Sequence, residues 1–192
     1  MGISHANRGA ALEKVIVIAN HRYAEQGIAV IDKQHTCWLP IRNNQGKIVS
    51  AKVEHKATVD FRGTVKGLGG VSFDVKETKG DRWYLRELQP HQVEHLQRCQ
   101  AVGDICFALI AFWKHDCFSI LYLDEYLSLV EKGVKSLRAG QIQTIPTSKL
   151  WDYLFYVRRE CTDESNSKQT RDRAVQKTNV QQDFRPRDSK GA

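Results

Sequence analysis

The sequence predicts an α/β domain over residues 1–160, followed by a polar segment over residues 161–192. Three observations carry that expectation. Residues 7–26 place Leu12, Val15, Ile16, Ala19 and Tyr23 at spacings of three and four, the buried stripe of a helix. Residues 58–61 and 71–76 are β-type segments flanking a glycine-containing loop, and residues 105–113 and 117–123 are apolar runs of strand length. A chain of 192 residues with 41% hydrophobic and 27% charged residues has the balance of an ordinary folded globule.

In the first helix Ser4 or Asn7 can cap the start and Gly27 the end. Residues 28–31 then read as a short, fully buried strand. Residues 33–56 form an irregular insertion with Pro40, Asn43, Asn44 and Gly46 as turn formers. Alternation from Lys47 to Val53 predicts an extended hairpin over residues 38–53 that projects from the body. Insertions of this length in a small domain are often functional. In the loop RGTVKGLGG, Gly67, Gly69 and Gly70 suit a turn between two pairing segments. Residues 83–85 read as another short strand. Pro90 opens a helix with Val93, Leu96 and Cys99 inward and Gly103 as its stop. The runs 105–113 and 117–123, separated by Lys114-His115-Asp116, read as a hairpin of central strands. A short helix over 124–131 and a terminal element over 148–159 complete the domain. Beyond Cys161 the chain has few large apolar residues and is expected to be disordered.

Lys and Arg number 29 against 22 Asp and Glu, a net charge of +7 that fits a polyanionic partner. The insertion carries Lys33, Arg42, Lys47, Lys52 and Lys56 among Trp38 and several aliphatic residues, a pattern suited to nucleic acid. Arg8, in Asn7-Arg8-Gly9, sits near a helix start where backbone N–H groups can hold phosphate. The 5 cysteines form no C-x-x-C pair and their number is odd, so neither a zinc knuckle nor a disulfide framework is indicated. His91 and His95 are four apart but lack the further ligands of a zinc protease and read as exposed. The first residues lack the apolar core of a signal peptide, and no apolar run is long enough to span a bilayer. A cytoplasmic protein without membrane partners is the expectation.

The chemistry lies in residues 58–78. Asp60 ends the first β-type segment, and Asp74 and Lys76 sit in the second. Strand side chains alternate, so Asp74 and Lys76 share one face while Val75 and Glu77 share the other. If the segments pair, Asp60 approaches Asp74. Two such carboxylates repel unless a cation lies between them, and Mg²⁺ or Mn²⁺ takes oxygen ligands of this kind. A neighbouring lysine can orient an attacking water or stabilise developing negative charge, as phosphodiester cleavage requires. Glu13, one turn into the first helix, can supply a third oxygen, and Gln92, at the start of a later helix, can face the same point.

Taken in order, these residues resemble the PD-(D/E)xK nuclease superfamily. More narrowly the chain is similar to the RecU family of Holliday junction resolvases of Gram-positive bacteria and their phages. The resemblance covers residues 7–160 and rests on Asn7-Arg8-Gly9 with Leu12-Glu13, then Thr58-Val59-Asp60-Phe61-Arg62-Gly63. It continues through Phe73-Asp74-Val75-Lys76-Glu77-Thr78, His91-Gln92 and the apolar strand from Ile105. It implies a restriction-endonuclease-like fold, a mixed central β-sheet flanked by helices with a stalk at 33–56. It also implies a homodimer that nicks four-way DNA junctions symmetrically in recombination and repair.

By that resemblance Asp60, Asp74, the Val75 carbonyl and Glu13 hold the metal, Lys76 is the catalytic lysine, and Gln92 completes the site. Arg8, Lys33, Trp38, Arg42, Lys47, Lys52, Lys56 and Arg62 are the candidate DNA-binding residues. The chain departs from the family pattern at Asp74, where Glu is common, and at Ala57, where Ser is usual. It begins almost at Asn7-Arg8-Gly9, which fits a phage-encoded member and leaves a recombinase partner open. Two other functions stay compatible with the residues: a superfamily nuclease without junction preference, and a non-catalytic DNA-binding recombination factor.

Overall fold

The computed structural model describes residues 10–55 and 58–157. The chain divides into two compact units, residues 1–152 and 153–192. Of the second, 153–157 is a helical turn in which the Phe155 and Tyr156 rings meet edge to face. The expected polar tail, Arg8 and Lys56 lie outside the described residues.

The first unit opens with α1 (Ala10–Glu25), whose Leu12, Ile16, Ala19 and Tyr23 are buried as the stripe predicts. Then follow β1 (Ala29–Lys33), β2 (Cys37–Arg42), β3 (Ile48–His55), β4 (Phe61–Val65) and β5 (Gly69–Thr78). After β6 (Arg82–Tyr84) and α2 (Pro90–Ala101) come β7 (Ile105–Phe112), β8 (Cys117–Tyr122) and α3 (Leu123–Glu131). Two short strands, β9 (Ser136–Arg138) and β10 (Ile145–Pro146), precede a 3₁₀ segment, Thr147–Asp152.

Six strands form one mixed sheet in the order β1-β4-β5-β7-β8-β10, in which only β5 and β7 run parallel. The parallel pair needs a crossover, which β6 and α2 provide. Even-numbered residues of β7 join Leu96 and Cys99 of α2 and Leu123 and Tyr126 of α3 in one buried cluster. Glu77, which points to the opposite face, accepts the Leu12 N–H at the start of α1 and the Trp113 indole N–H at 2.9 Å. The sheet is thus flanked by helices on both faces, the mixed α/β arrangement of a restriction-endonuclease-like fold.

The register of the central strands is marked by a row of rings. Phe61, Phe73, Phe107 and Tyr122 are successive partners across β4, β5, β7 and β8. Phe61 and Phe73 stack at 5.1 Å, Phe73 and Phe107 at 4.7 Å, and Tyr122 closes the row edge-on at 6.3 Å. The first two spacings match the strand separation of a sheet, so each phenylalanine ring sits on its neighbour without leaving its own strand.

Two sequence-based expectations are corrected. Residues 28–31 are half-buried, with Val30 63% exposed, because β1 is the edge strand and only one of its faces is covered. The loop between the two β-type segments shrinks to residues 66–68, since β4 and β5 extend through residues assigned to it. Gly63 belongs to a strand for a steric reason: a Cβ there would stand 2.0 Å from the Val30 carbonyl oxygen of β1.

The expected hairpin exists as a separate two-stranded sheet, β2 with β3, turned by Asn43 and Gly46. Trp38, Leu39, Ile41, Ile48, Val49 and Val53 on it are all exposed.

Truncating the middle of the aromatic row tests its weight. Phe73→Ala should destabilise the fold by about 3–5 kcal/mol, the usual range for a buried aromatic. Urea unfolding would show it as a lower midpoint with an unchanged slope.

Candidate active site

One step beyond the Phe61–Phe73 pair, the same register sets Asp60 opposite Asp74. Asp60 is held there by the main chain of β5: the Val75 N–H donates to its Oδ2 at 2.9 Å. Asp74 is fully buried and Lys76, two residues on and on the same face, brings its Nζ to 2.5 Å from Asp74 Oδ2. That contact is a charge pair whose angles miss those of a hydrogen bond, so Oδ2 is left without a directional donor.

Gln92 ties the strand site to α2. Its Nε2 donates to Asp74 Oδ1 at 2.7 Å. Its Oε1 accepts the Gln89 N–H at 2.9 Å, capping the helix, and the Lys76 ammonium at 3.4 Å. A glutamine three residues into a helix that reaches back to the cap is a known way to satisfy a free N–H. Here the same side chain also fixes the Asp74 carboxyl and the lysine.

Burial, and then the Asp60 charge, push the Asp74 carboxyl up from its ordinary 3.8 to about 7, with Lys76 pulling the other way. An acid pair this close ionises fully only when further positive charge arrives. The donor set fits a hard divalent cation: two facing carboxylates, one with a buried oxygen lacking a hydrogen-bond donor. The N–H and C=O of a strand residue point to the same side. The Val75 carbonyl is therefore directed, like its N–H, toward the strand edge that holds Asp60.

The family model described as "Recombination protein U" matches residues 7–160. The chain belongs to the RecU family. It is 34% identical over 153 residues to a protein of Ligilactobacillus salivarius (strain UCC118), covering 73% of this chain and 70% of that one. It is 34% identical over 149 residues to one of Streptococcus pneumoniae (strain Hungary19A-6), covering 72% and 73%. With one of Geobacillus thermodenitrificans (strain NG80-2) the identity is 30% over 163 residues, covering 82% and 79%. Each of these relatives is named "Holliday junction resolvase RecU".

Seen against the RecU pattern, the described residues read from the sequence fall into four groups. Asp60, Asp74, Val75, Lys76 and Gln92 come together as described. Glu13 and Lys33 meet each other: the Lys33 ammonium forms an ion pair with the Glu13 carboxylate in a half-buried position. That pair lies on the α1 face of the sheet, where Lys33 is the register partner of Phe61, while the next residue, Gln34, donates its N–H to the Asp60 carbonyl at 2.7 Å. No three His, Cys, Asp or Glu side chains converge as a metal cluster among the described residues.

Trp38, Arg42, Lys47 and Lys52 lie exposed on the β2–β3 hairpin, where the Arg42 guanidinium also donates to the Gly46 carbonyl. Arg62 lies on β4, next to Ser72 and Asp104. His95, read as exposed, is half-buried, with its ring 3.4 Å from Cys99 Sγ. The sequence reading missed Glu77 as the anchor of α1 and missed the Ser72–Asp104 pair. Only alternation, which sets Glu77 and Ser72 on opposite faces of β5, hinted at their roles.

The raised Asp74 carboxyl has a sign that can be checked. Below 3.8 it is protonated in folded and unfolded chains alike; between there and about 7 only the unfolded chain ionises. Metal-free stability should therefore fall as pH rises across that window and level off above it. Asp74→Asn should flatten this dependence and, above neutral pH in chelator, be more stable than the wild type by on the order of 1–3 kcal/mol. Urea titrations at several pH values would decide; an unchanged slope with pH would remove Asp74 as the titrating group.

Proposed function

We propose that this chain is a divalent-metal-dependent, structure-selective endonuclease that nicks four-way DNA junctions symmetrically as a homodimer. The observation that carries the reading is the Asp60–Asp74 pair with Lys76 and Gln92 on one face of the sheet. It stands in a chain whose relatives are named Holliday junction resolvase RecU.

Asp60, Asp74 and the Val75 carbonyl would hold Mg²⁺ or Mn²⁺, with Glu13 as the outer acid across Lys33. A divalent ion bound there supplies positive charge for the oxygens of a phosphodiester under attack. The protein's own groups do the rest. The Val75 N–H keeps Asp60 aimed at Asp74, and Gln92 Nε2 keeps Asp74 from rotating away. Lys76, 19% exposed, is half sheltered from water, which strengthens its pull on negative charge at a phosphate oxygen. Its ammonium is already held by the Asp74 charge and by Gln92 Oε1, so it is fixed before substrate arrives.

Substrate geometry follows from symmetry and charge. An isologous dimer presents two identical sites, which suits paired cuts across a two-fold junction. The β2–β3 hairpin, with basic residues and Trp38 exposed, offers stacking and phosphate contacts to unpaired or splayed strands at a junction centre. Among the described residues no helix is long and apolar enough to cross a membrane.

A mobile four-way junction, with linear duplex of the same arms as control, is the test substrate. Symmetric paired nicks in Mg²⁺, absent from the duplex and lost in EDTA, are expected. Asp74→Asn should lose cleavage by about 10³-fold or more while retaining junction binding, because one ligand charge goes and almost no surface changes. Wild-type-like cutting by that variant would sink the site assignment, and equal cutting of linear duplex would sink the junction preference.

A further inference from the structure

A second polar cluster stands one rung along the strands that carry Asp60 and Asp74. Arg62 of β4 and Ser72 of β5 are register partners, two residues from Asp60 and Asp74 respectively. Same-face positions two residues apart on a strand are separated by about 7 Å.

Three contacts build the cluster. Arg62 Nε donates to Ser72 Oγ at 3.1 Å, and the Ser72 hydroxyl donates to Asp104 Oδ2 at 2.7 Å. The Arg62 Nη2 lies 3.6 Å from the same carboxylate oxygen. Asp104 fits only because of Gly70, where a Cβ would stand 2.0 Å from Asp104 Oδ1. Ser72 is fully buried and Asp104 partly so, at 18% exposed, yet the Arg62 side chain is 45% exposed. The guanidinium is thus gripped along one edge and open along the other; among the described residues its Nη1 has no hydrogen bond.

The surroundings favour an anion at that open edge. His95 of α2 is held below its ordinary value by burial first, and then by the charges of Arg62 and Arg98. That shift marks a positive field from two arginines at this edge, which the Asp104 carboxylate offsets only in part.

We propose that Arg62, aimed by Ser72 and Asp104, binds the phosphate adjacent to the one cleaved, on the same DNA strand, and so sets where the cut falls. The inference rests on the nuclease reading above. A guanidinium held along one edge presents a planar pair of donors to a phosphate, which a lysine cannot reproduce. Phosphate contacts of this kind fix the position of a protein along a strand without reading sequence. Ser72 and Asp104 are positioning residues; of the three, only Arg62 touches substrate.

The experiment uses the full chain and four-way junctions carrying one neutral methylphosphonate at successive positions around the cut. Substitution at the adjacent phosphate should slow wild-type cleavage by about tenfold or more, the worth of a charged hydrogen bond. Arg62→Ala should show the same loss on unmodified DNA and no further loss on the substituted junction, as coupled partners do. Its junction binding should also lose about one unit of salt-dependence slope, which Arg62→Lys should retain while still cutting slowly. Asp104→Asn should keep the salt slope but lower kcat and scatter the nicks over neighbouring positions. Arg62→Gln replaces the alanine variant if that chain does not fold.

Additive losses from Arg62→Ala and the methylphosphonate would overturn the proposal. So would a fall in Tm for Asp104→Asn with nick positions unchanged, the mark of a purely structural tie. If the wild type cuts no junction in Mg²⁺, the nuclease reading fails separately. Binding of the same substituted junctions by wild type and Arg62→Ala then still decides whether Arg62 meets that phosphate.

Discussion

The constraint on which the site depends is the register between β4 and β5, and the rings of Phe61, Phe73 and Phe107 hold it. They stack across three neighbouring strands on the face opposite Asp74. Because side chains alternate, fixing Phe61 against Phe73 fixes Asp60 against Asp74 and Arg62 against Ser72. A slip by one residue would send the carboxylates into the aromatic layer and the rings into the polar cleft. Apolar packing on one face thereby enforces polar geometry on the other, at a distance set by covalent bonds alone.

β5 carries this division along its whole length. Ser72, Asp74 and Lys76 face the polar side, where Gln92 of α2 meets them. Phe73, Val75 and Glu77 face α1, and Glu77 accepts the Leu12 N–H of its first turn and the Trp113 indole N–H. Both helices that frame the site are therefore anchored to one strand. The arrangement has an energetic counterpart: a buried carboxyl beside a second carboxyl opposes folding until a cation arrives. The aromatic row and the helix anchors supply the offsetting stability.

Much of this was legible in the sequence, and the exceptions have physical causes. Period-two alternation placed Asp74 and Lys76 on one face, and the stripe through Leu12, Ile16 and Ala19 placed α1 correctly. The β4–β5 turn was drawn too wide because glycine signals both turns and crowding, and Gly63 and Gly70 answer to crowding by Val30 and Asp104. Nothing local marks Asp104, which joins Ser72 across 32 residues of chain. β9 and β10, of three and two residues, are too short for any periodicity to reveal them. The pairing of Glu13 with Lys33 is likewise a tertiary fact, since each reads alone as a solvated charge. Gln92 was found by its place in the helix, but its reach to cap, carboxylate and ammonium at once appears only in three dimensions.

The β2–β3 ribbon raises a matter of solution behaviour. Two strands make a marginal sheet in water, and this one leaves Trp38, Ile48 and Val49 more than half exposed and both outer edges without a β partner among the described residues. Self-association is the default fate of such a surface, held back here by Arg42, Lys47 and Lys52 spaced along it. Raising the ionic strength screens that repulsion and strengthens apolar attraction together. Colloidal stability of the free protein is thus governed by its hairpin and by salt, while its melting temperature is governed by the aromatic row.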